Sequence, residues 1–193
     1  MIHLPHLERR DFLNGALAAF PLALLGQSAQ AASAPTSPAI AKVPAGEDRL
    51  GEHHIIGVSN TSFKVLTADS AGALFLFEHR NVGGEKGGPP RHVHHNEDEW
   101  FYVIEGNYIA EIGSTRVELK PGDSILGPRE VPHAWAFVGD TPGRLLIAFT
   151  PANKMEAFFR DNEKRPHGTE YMNDAAVYRA YGMELLGPPL AVK

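Results

Sequence analysis

Residues 87–106, GGPPRHVHHNEDEWFYVIEG, decide how this chain folds, because they place two histidines and a glutamate at strand spacing. In a β-strand successive side chains point to opposite faces, so His92 and His94 project to the same side. The three residues after His95 are turn formers, which lets the chain reverse and run back as a second strand. That reversal returns Glu99 to the side of the two histidines, and two imidazoles and a carboxylate converge.

A second stretch, GPREVPH at residues 127–133, places another histidine, His133, at the start of an apolar strand. The chain contains no cysteine, so any metal must be held by nitrogen and oxygen. Three imidazoles and one carboxylate suit one divalent transition ion, and the set does not choose among Mn, Fe, Co, Ni, Cu and Zn. His92, His94, Glu99 and His133 are therefore the candidate metal ligands.

Around these residues, from position 53 to 150, short apolar or alternating runs are separated by turn residues. This pattern predicts an all-β antiparallel sandwich or barrel of about eight or nine strands. Ten candidate segments are 54–58, 63–67, 73–79, 92–95, 99–104, 108–112, 115–119, 124–126, 134–138 and 144–149. Pro121 and Gly122 occupy the two central positions of a type II turn between two of them.

Beyond Pro151 the pattern changes to helical spacing. Asn153 is positioned to cap a helix over KMEAFFRDN, and Asp174 to open a second helix that ends near Gly182. We expect both helices to pack across the outside of the β core. The predicted organisation is a β domain at residues 51–150 followed by a helical extension at 151–193.

Residues 1–31 have the order of an export signal, with a polar start, an apolar stretch and small residues before a cleavage point after Ala31. The pair Arg9-Arg10 followed by Asp11, Phe12 and Leu13 resembles the twin-arginine signal. This predicts an exported protein, periplasmic or secreted. Residues 32–50 are rich in Pro, Ala and Ser, which indicates a flexible lead-in.

The composition of the chain limits the kinds of binding partner that we expect. A formal net charge of −5 gives no broad basic surface, which argues against nucleic acid and anionic membranes. The apolar stretch of the signal is too short to span a bilayer. The apolar run at residues 73–77 is a candidate surface for a homodimer.

The two histidine-bearing stretches resemble the two sequence motifs of the cupin family. His92, His94, Glu99 and Gly106 match the first motif G-x5-H-x-H-x(3,4)-E-x6-G, except that Gly87 lies one residue late. Gly122, Pro128 and His133 match the second, G-x5-P-x-G-x2-H-x3-N, whereas Glu130 and Phe137 replace its second glycine and its asparagine. The resemblance implies a jelly-roll barrel with a metal held at its mouth by the four candidate ligands.

More loosely, residues 150–190, with the stretches TPANKMEAFF and YGMELLGPPL, resemble the tail of bacterial single-domain cupins related to quercetin 2,3-dioxygenases. This resemblance implies cleavage of a flavonol or similar aromatic enol with dioxygen. Glu99 would then be both a ligand and the catalytic base that takes the substrate hydroxyl proton. Strand alternation places Trp135 and Phe137 on the side of His133, and Phe101 and Val103 on the side of Glu99. These four residues predict an apolar substrate pocket for a small aromatic molecule.

Two alternatives stay open: another metal-dependent cupin enzyme, such as an isomerase or a decarboxylase, and an exported protein that binds a small molecule without catalysis. Five further histidines are interpreted as core or surface residues, and Glu97 with Asp98 as a solvated turn. Those histidines are His53, His54, His79, His95 and His167. The binuclear-hydrolase motif H-x-H-x-D-H is excluded because Asn96 stands at its aspartate position.

Overall fold

The computed structural model describes residues 42–57, 59–164 and 173–192. The predicted export signal, most of the lead-in and His167 lie outside these residues. Two antiparallel sheets form a β-sandwich that encloses the apolar core, with two short helices, as the sequence predicts. None of the helices in the described part of the chain is long and apolar enough to span a membrane.

One sheet has six strands in the order β1-β2-β3-β10-β5-β8, and the other has five in the order β11-β4-β9-β6-β7. The first sheet contains β1 (His54–Ile56), β2 (Ser59–Val65), β3 (Phe75–Asn81), β10 (Gly143–Thr150), β5 (Asp98–Glu105) and β8 (Ser124–Gly127). The second contains β11 (Met183–Pro189), β4 (Pro90–His94), β9 (His133–Phe137), β6 (Tyr108–Ile112) and β7 (Thr115–Leu119). The chain crosses from one sheet to the other several times, so residues from distant segments meet between them.

Along β3, the side chains on the inner face of the six-stranded sheet change from apolar to polar. Phe75 and Phe77 are buried in the core, and the same alternation brings His79 and Asn81 inward further along the strand. The tight turn before β8 forms as predicted, because Gly122 adopts a positive φ of 93° at a position that favours glycine. The burial of Phe75 and Phe77 leaves less of the 73–77 run for a dimer contact than its sequence suggests, and dimerisation stays a prediction.

The C-terminal part differs from the sequence expectation in three ways. Helix α1 (Met155–Glu163) has no side-chain cap, so Asn153 does not cap it, whereas Asp174 caps α2 (Ala175–Ala180) by accepting from the amide of Ala176. Helix α1 also contributes to the wall of a cavity, which the expected packing across the outside of the β core does not include. The segment after α2 forms the unpredicted strand β11, which pairs with β4.

Candidate metal centre

Three strands bring the four predicted ligands together. His92 and His94 lie on β4, Glu99 lies on β5, and His133 begins β9, where it is in register with His92. Donor atoms of all four lie within 4.8 Å of one another. Gly127 makes room for this arrangement, because a Cβ atom there would approach the His133 ring to 3.1 Å.

The carboxylate of Glu99 faces the Nε2 atoms of all three histidines. Its Oε2 lies 2.8 Å from His133, 3.3 Å from His94 and 3.8 Å from His92. The Nε2 atoms of His92 and His94 are 3.2 Å apart. Neighbouring ligands held at about 2.1 Å from an ion are separated by roughly 3.0 to 3.4 Å, so the four donors are spaced to surround a single ion.

The other ring nitrogens explain why the Nε2 atoms face the centre. The Nδ1 atoms of His92 and His133 donate to the carbonyl oxygens of Pro90 and Val131, at 2.7 and 2.9 Å. His94 Nδ1 donates to the Glu97 carboxylate at 2.6 Å. Because each Nδ1 is held by an acceptor, each ring directs its Nε2 at the centre. An Nε2 atom without a proton presents the lone pair that metal-bound histidines use. The residues present therefore fit a divalent ion.

The electrostatics of the cluster favour a cation at its centre. Burial alone would raise the pKa of Glu99, but hydrogen bonds from His133, His92 and His94 hold it well below its ordinary value. Burial lowers the pKa of His92. Burial would also lower that of His94, yet its hydrogen bonds to Glu97 and Glu99 outweigh this and raise its pKa to about 9. A metal ion at this centre would compete with that proton and displace it.

The interpretation of Glu97 as part of a solvated turn is wrong. Its side chain is fully buried, with one oxygen 2.6 Å from His94 Nδ1 and the other accepting from Asn153 Nδ2 at 3.0 Å. Asn153 also donates to the carbonyl of Asn96 at 2.9 Å. Glu97 thus orients a candidate ligand, and no local pattern shows this because Asn153 lies 56 residues away in sequence. Asp98 instead pairs with Arg129 at 2.9 Å near the surface.

The centre opens onto a cavity of about 530 Å³. His92, His94 and Glu99 line this cavity, whereas His133 is fully buried behind them. The rest of the wall is largely apolar. Its aromatic members are Phe77, Trp135, Phe149, Phe158, Phe159 and Tyr178.

Of the four residues predicted to line the pocket, Trp135 does so. Phe101, Val103 and Phe137 point inward as strand alternation requires, but they are fully buried in the core and do not belong to the cavity wall. Phe137 is enclosed by glycines instead, since a Cβ on Gly143 would lie 2.6 Å from its ring. Alternation fixes the face of a side chain, whereas its depth in the sandwich depends on tertiary packing.

A second group of metal-ligating side chains in the described residues consists of Asp48, Glu52 and His54. Its carboxylates have other partners, because Asp48 accepts from the amides of Leu50 and Phe63 at 2.7 and 2.6 Å. His54 is bonded to Glu163 at 2.8 Å and stacks on Phe63 with 4.0 Å between the ring centroids. These contacts join the edge of the sheet to α1, in agreement with the interpretation of His54 as a hydrogen-bonded core or surface residue.

Comparison with known proteins places this site in a family. A family model described as "Cupin domain" matches residues 80–149, which include all four ligand positions. Uncharacterized protein MJ1618 of Methanocaldococcus jannaschii is 30% identical over 60 residues, which are 31% of this chain and 48% of that protein. The chain thus spans about half the length of the curated relative it matches.

Solved structures are also similar to part of this chain. An RmlC-like cupin from Shewanella frigidimarina has 23% sequence identity and a TM-score of 0.44, over 54% of this chain and 87% of that one. KdgF from Halomonas sp. has 20% identity and a TM-score of 0.43, over 52% and 86%. The family match, the two-sheet sandwich and both histidine motifs agree, so residues 80–149 form a cupin domain.

Proposed function

We propose that this protein is a metal-dependent cupin dioxygenase of the quercetinase type, which cleaves a flavonol or a similar aromatic enol with dioxygen. The observation that carries the proposal is that Glu99 and two histidines open directly onto an aromatic-walled cavity. A volume of about 530 Å³ lies within the usual range for pockets that bind small molecules. The apolar wall favours a flat, weakly polar ring system.

A divalent transition ion held by His92, His94, Glu99 and His133 would supply the positive charge that lowers the pKa of an enol hydroxyl, together with reactivity toward dioxygen. The protein's own part begins with binding, because the aromatic wall holds the ring system against the ligand cluster. Glu99 is ionised at neutral pH and lines the cavity, so it is placed to accept the hydroxyl proton. The buried wall also keeps bulk water from the reacting carbons.

The test is oxygen consumption with quercetin, using protein loaded with the ion that elemental analysis finds in the purified chain. We expect uptake of dioxygen to match the loss of quercetin absorbance. Glu99→Gln is expected to lose turnover more completely than it loses metal, because the amide still offers an oxygen ligand but accepts protons poorly. His94→Ala is expected to lose both.

His95→Ala is the matched control, since His95 lies next to His94 but is exposed and pairs with Glu130 on the surface. Equal turnover in Glu99→Gln and wild type would contradict the base assignment. Tight binding of quercetin without oxygen uptake would replace the dioxygenase with the binding-protein alternative.

A further inference from the structure

The cavity has polar atoms that its proposed chemistry does not use. Within the described residues, seven buried side-chain polar atoms have no hydrogen-bond partner, and four of them belong to residues that line this cavity. Three of the four lie on two adjacent strands: Thr61 Oγ1 on β2, and His79 Nδ1 and Asn81 Oδ1 on β3. Burying a polar atom without a partner costs free energy, so such a cluster in a cavity wall points to a ligand.

Strand register places these three groups on one patch of the inner face. Thr61 and His79 are directly opposite each other in the β2–β3 pair, and Asn81 is two residues beyond His79 on the same face. Thr61 and Asn81 are almost completely buried, at 3% exposure each. Trp135 packs edge-on against the His79 ring, with 5.1 Å between centroids.

The patch lies at a distance from the ligand cluster that a small molecule can span. Across the sheet Glu99 is aligned with Phe149 and Phe75, whereas His79 is four residues further along β3 than Phe75. Four residues of extended strand correspond to roughly 13 Å. Phe77 and Ile147 pair with each other between the level of Glu99 and the level of His79, and both line the cavity. A ligand that reaches both ends therefore has polar groups at its two ends and an apolar middle.

The chemistry of the patch selects a neutral, hydroxyl-bearing group. The side-chain oxygen of Asn81 can only accept a hydrogen bond, so the ligand must supply a donor. The side-chain nitrogen of Asn81 already donates to the carbonyl oxygen of Glu85. Thr61 can donate or accept. Burial lowers the pKa of His79 to about 4, so its ring is neutral at pH 7 and offers no positive charge to an acid. Lys86, which also lines the cavity, pairs with Asp140 at 3.1 Å.

We propose that Thr61, His79 and Asn81 form a hydroxyl-binding subsite for the far end of a substrate whose near end reaches His92, His94 and Glu99. The inference rests on the proposed function and narrows its substrate class to polyhydroxylated aromatic enols. Enols without distal hydroxyl groups are poorer ligands, because they leave the three buried atoms without a partner.

Two flavonols test this on metal-loaded protein without oxygen. Quercetin and 3-hydroxyflavone share the chelating hydroxy-ketone, but only quercetin carries further hydroxyls on its other rings. We expect calorimetry to give about tenfold tighter binding of quercetin in wild type. Thr61→Val and Asn81→Leu should each remove most of that preference and leave the affinity for 3-hydroxyflavone unchanged.

Matched controls are Thr115→Val and Asn60→Leu, which change exposed residues of the same types and should keep the preference. Equal loss of both flavonols in the Thr61 and Asn81 variants, or no loss of either, would overturn the subsite. Thr61→Val is the more conservative variant, because Asn81 also holds the Glu85 carbonyl.

If wild type binds neither flavonol, the proposed function fails, and a fragment experiment then decides the subsite separately. In zinc-loaded protein, resorcinol should shift the ring nitrogen signals of His79 in NMR spectra, toluene should not, and Asn81→Leu should weaken the resorcinol effect. Equal shifts with resorcinol and toluene, or no shift with either, would overturn the proposal.

Discussion

At the residue scale, His94 illustrates how the centre is built from two layers of contacts. One ring nitrogen faces Glu99 and the other histidines, and the opposite nitrogen is bonded to the buried carboxylate of Glu97. Such a carboxylate fixes the orientation of the ring and makes the coordinating nitrogen a better donor. Glu97 is therefore placed to position a candidate metal ligand.

Glu97→Gln should weaken metal binding roughly 10- to 100-fold, the usual cost of losing a partner that orients a ligand. The amide has one oxygen to serve both His94 and Asn153, so one of the two contacts is lost, along with the negative charge. Competition with a chromogenic chelator measures the affinity. Glu130→Gln is the matched control, since Glu130 forms the same kind of pair with the exposed His95 at 2.9 Å. Equal metal affinity in Glu97→Gln and wild type would remove this role.

Three of the four candidate ligands could be predicted to converge because their geometry is local, whereas His133 joins them through the pairing of β9 with β4. His92 and His94 share a face by alternation alone, and the turn after them returns Glu99. The environment of Glu97 could not be predicted, because its burial depends on a contact with Asn153 that only the fold creates. The proximity of His79 and Thr61 could not be predicted either, because it follows from the register of β2 against β3.

At the element scale, the segment entering β4 lies against β9 with no room for a side chain. Gly87 exchanges backbone hydrogen bonds with Phe137, at 3.0 and 2.8 Å. A Cβ on the next residue, Gly88, would lie 1.9 Å from the carbonyl oxygen of Trp135. This close approach sets the start of the strand that carries His92 and His94.

Gly88→Ala should therefore lower the free energy of unfolding by about 1–3 kcal/mol, because the segment must move away from β9. The same displacement should reduce metal content, since His92 follows four residues later. Denaturant unfolding and elemental analysis measure the two effects. Gly83→Ala is the control, because a Cβ there meets nothing closer than 3.8 Å. Unchanged stability in Gly88→Ala would show that the backbone accommodates the methyl group without displacement.

Strand β11 shows a limit of sequence reasoning at this scale. Its sequence MELLGPP contains a glycine and two prolines, which indicate a loop rather than a strand. The strand forms at the sheet edge, where Met183 and Leu185 pair with His94 and His92. The turn at residues 120–123 and the Asp174 cap could be predicted, because each depends on the residues within it.

At the scale of the whole molecule, a charged cluster joins three strands on the outer face of the six-stranded sheet. Glu78 of β3 is buried and lies 2.7 Å from Arg80, 2.8 Å from Arg144 of β10 and 3.6 Å from Lys64 of β2. Burial alone would raise the pKa of Glu78, but the hydrogen bonds from Arg144 and Arg80 hold it below its ordinary value. The carboxylate thus stabilises the fold in its charged form.

Because the folded pKa of Glu78 is depressed, its contribution is present above its unfolded pKa and is lost as pH falls through the folded value. Wild type should therefore lose stability as pH is lowered from about 5 toward 3, and Glu78→Gln should lose less over that range. At pH 7 the variant should be less stable by about 1–3 kcal/mol. Thermal unfolding across pH measures both effects, with exposed Glu118→Gln as control. Parallel pH profiles would contradict the assignment.

Other whole-chain predictions stay predictions. Export by the twin-arginine route rests on Arg9 and Arg10, which lie outside the described residues. The all-β architecture is confirmed by the two antiparallel sheets, as turn residues between short apolar runs indicate.

The complete burial of His133 makes the candidate metal centre asymmetric. Only its other three ligands border the cavity, so a small molecule would reach the centre from that side, between aromatic side chains. A compound too large for the cavity would therefore not reach these ligands, whatever its reactivity.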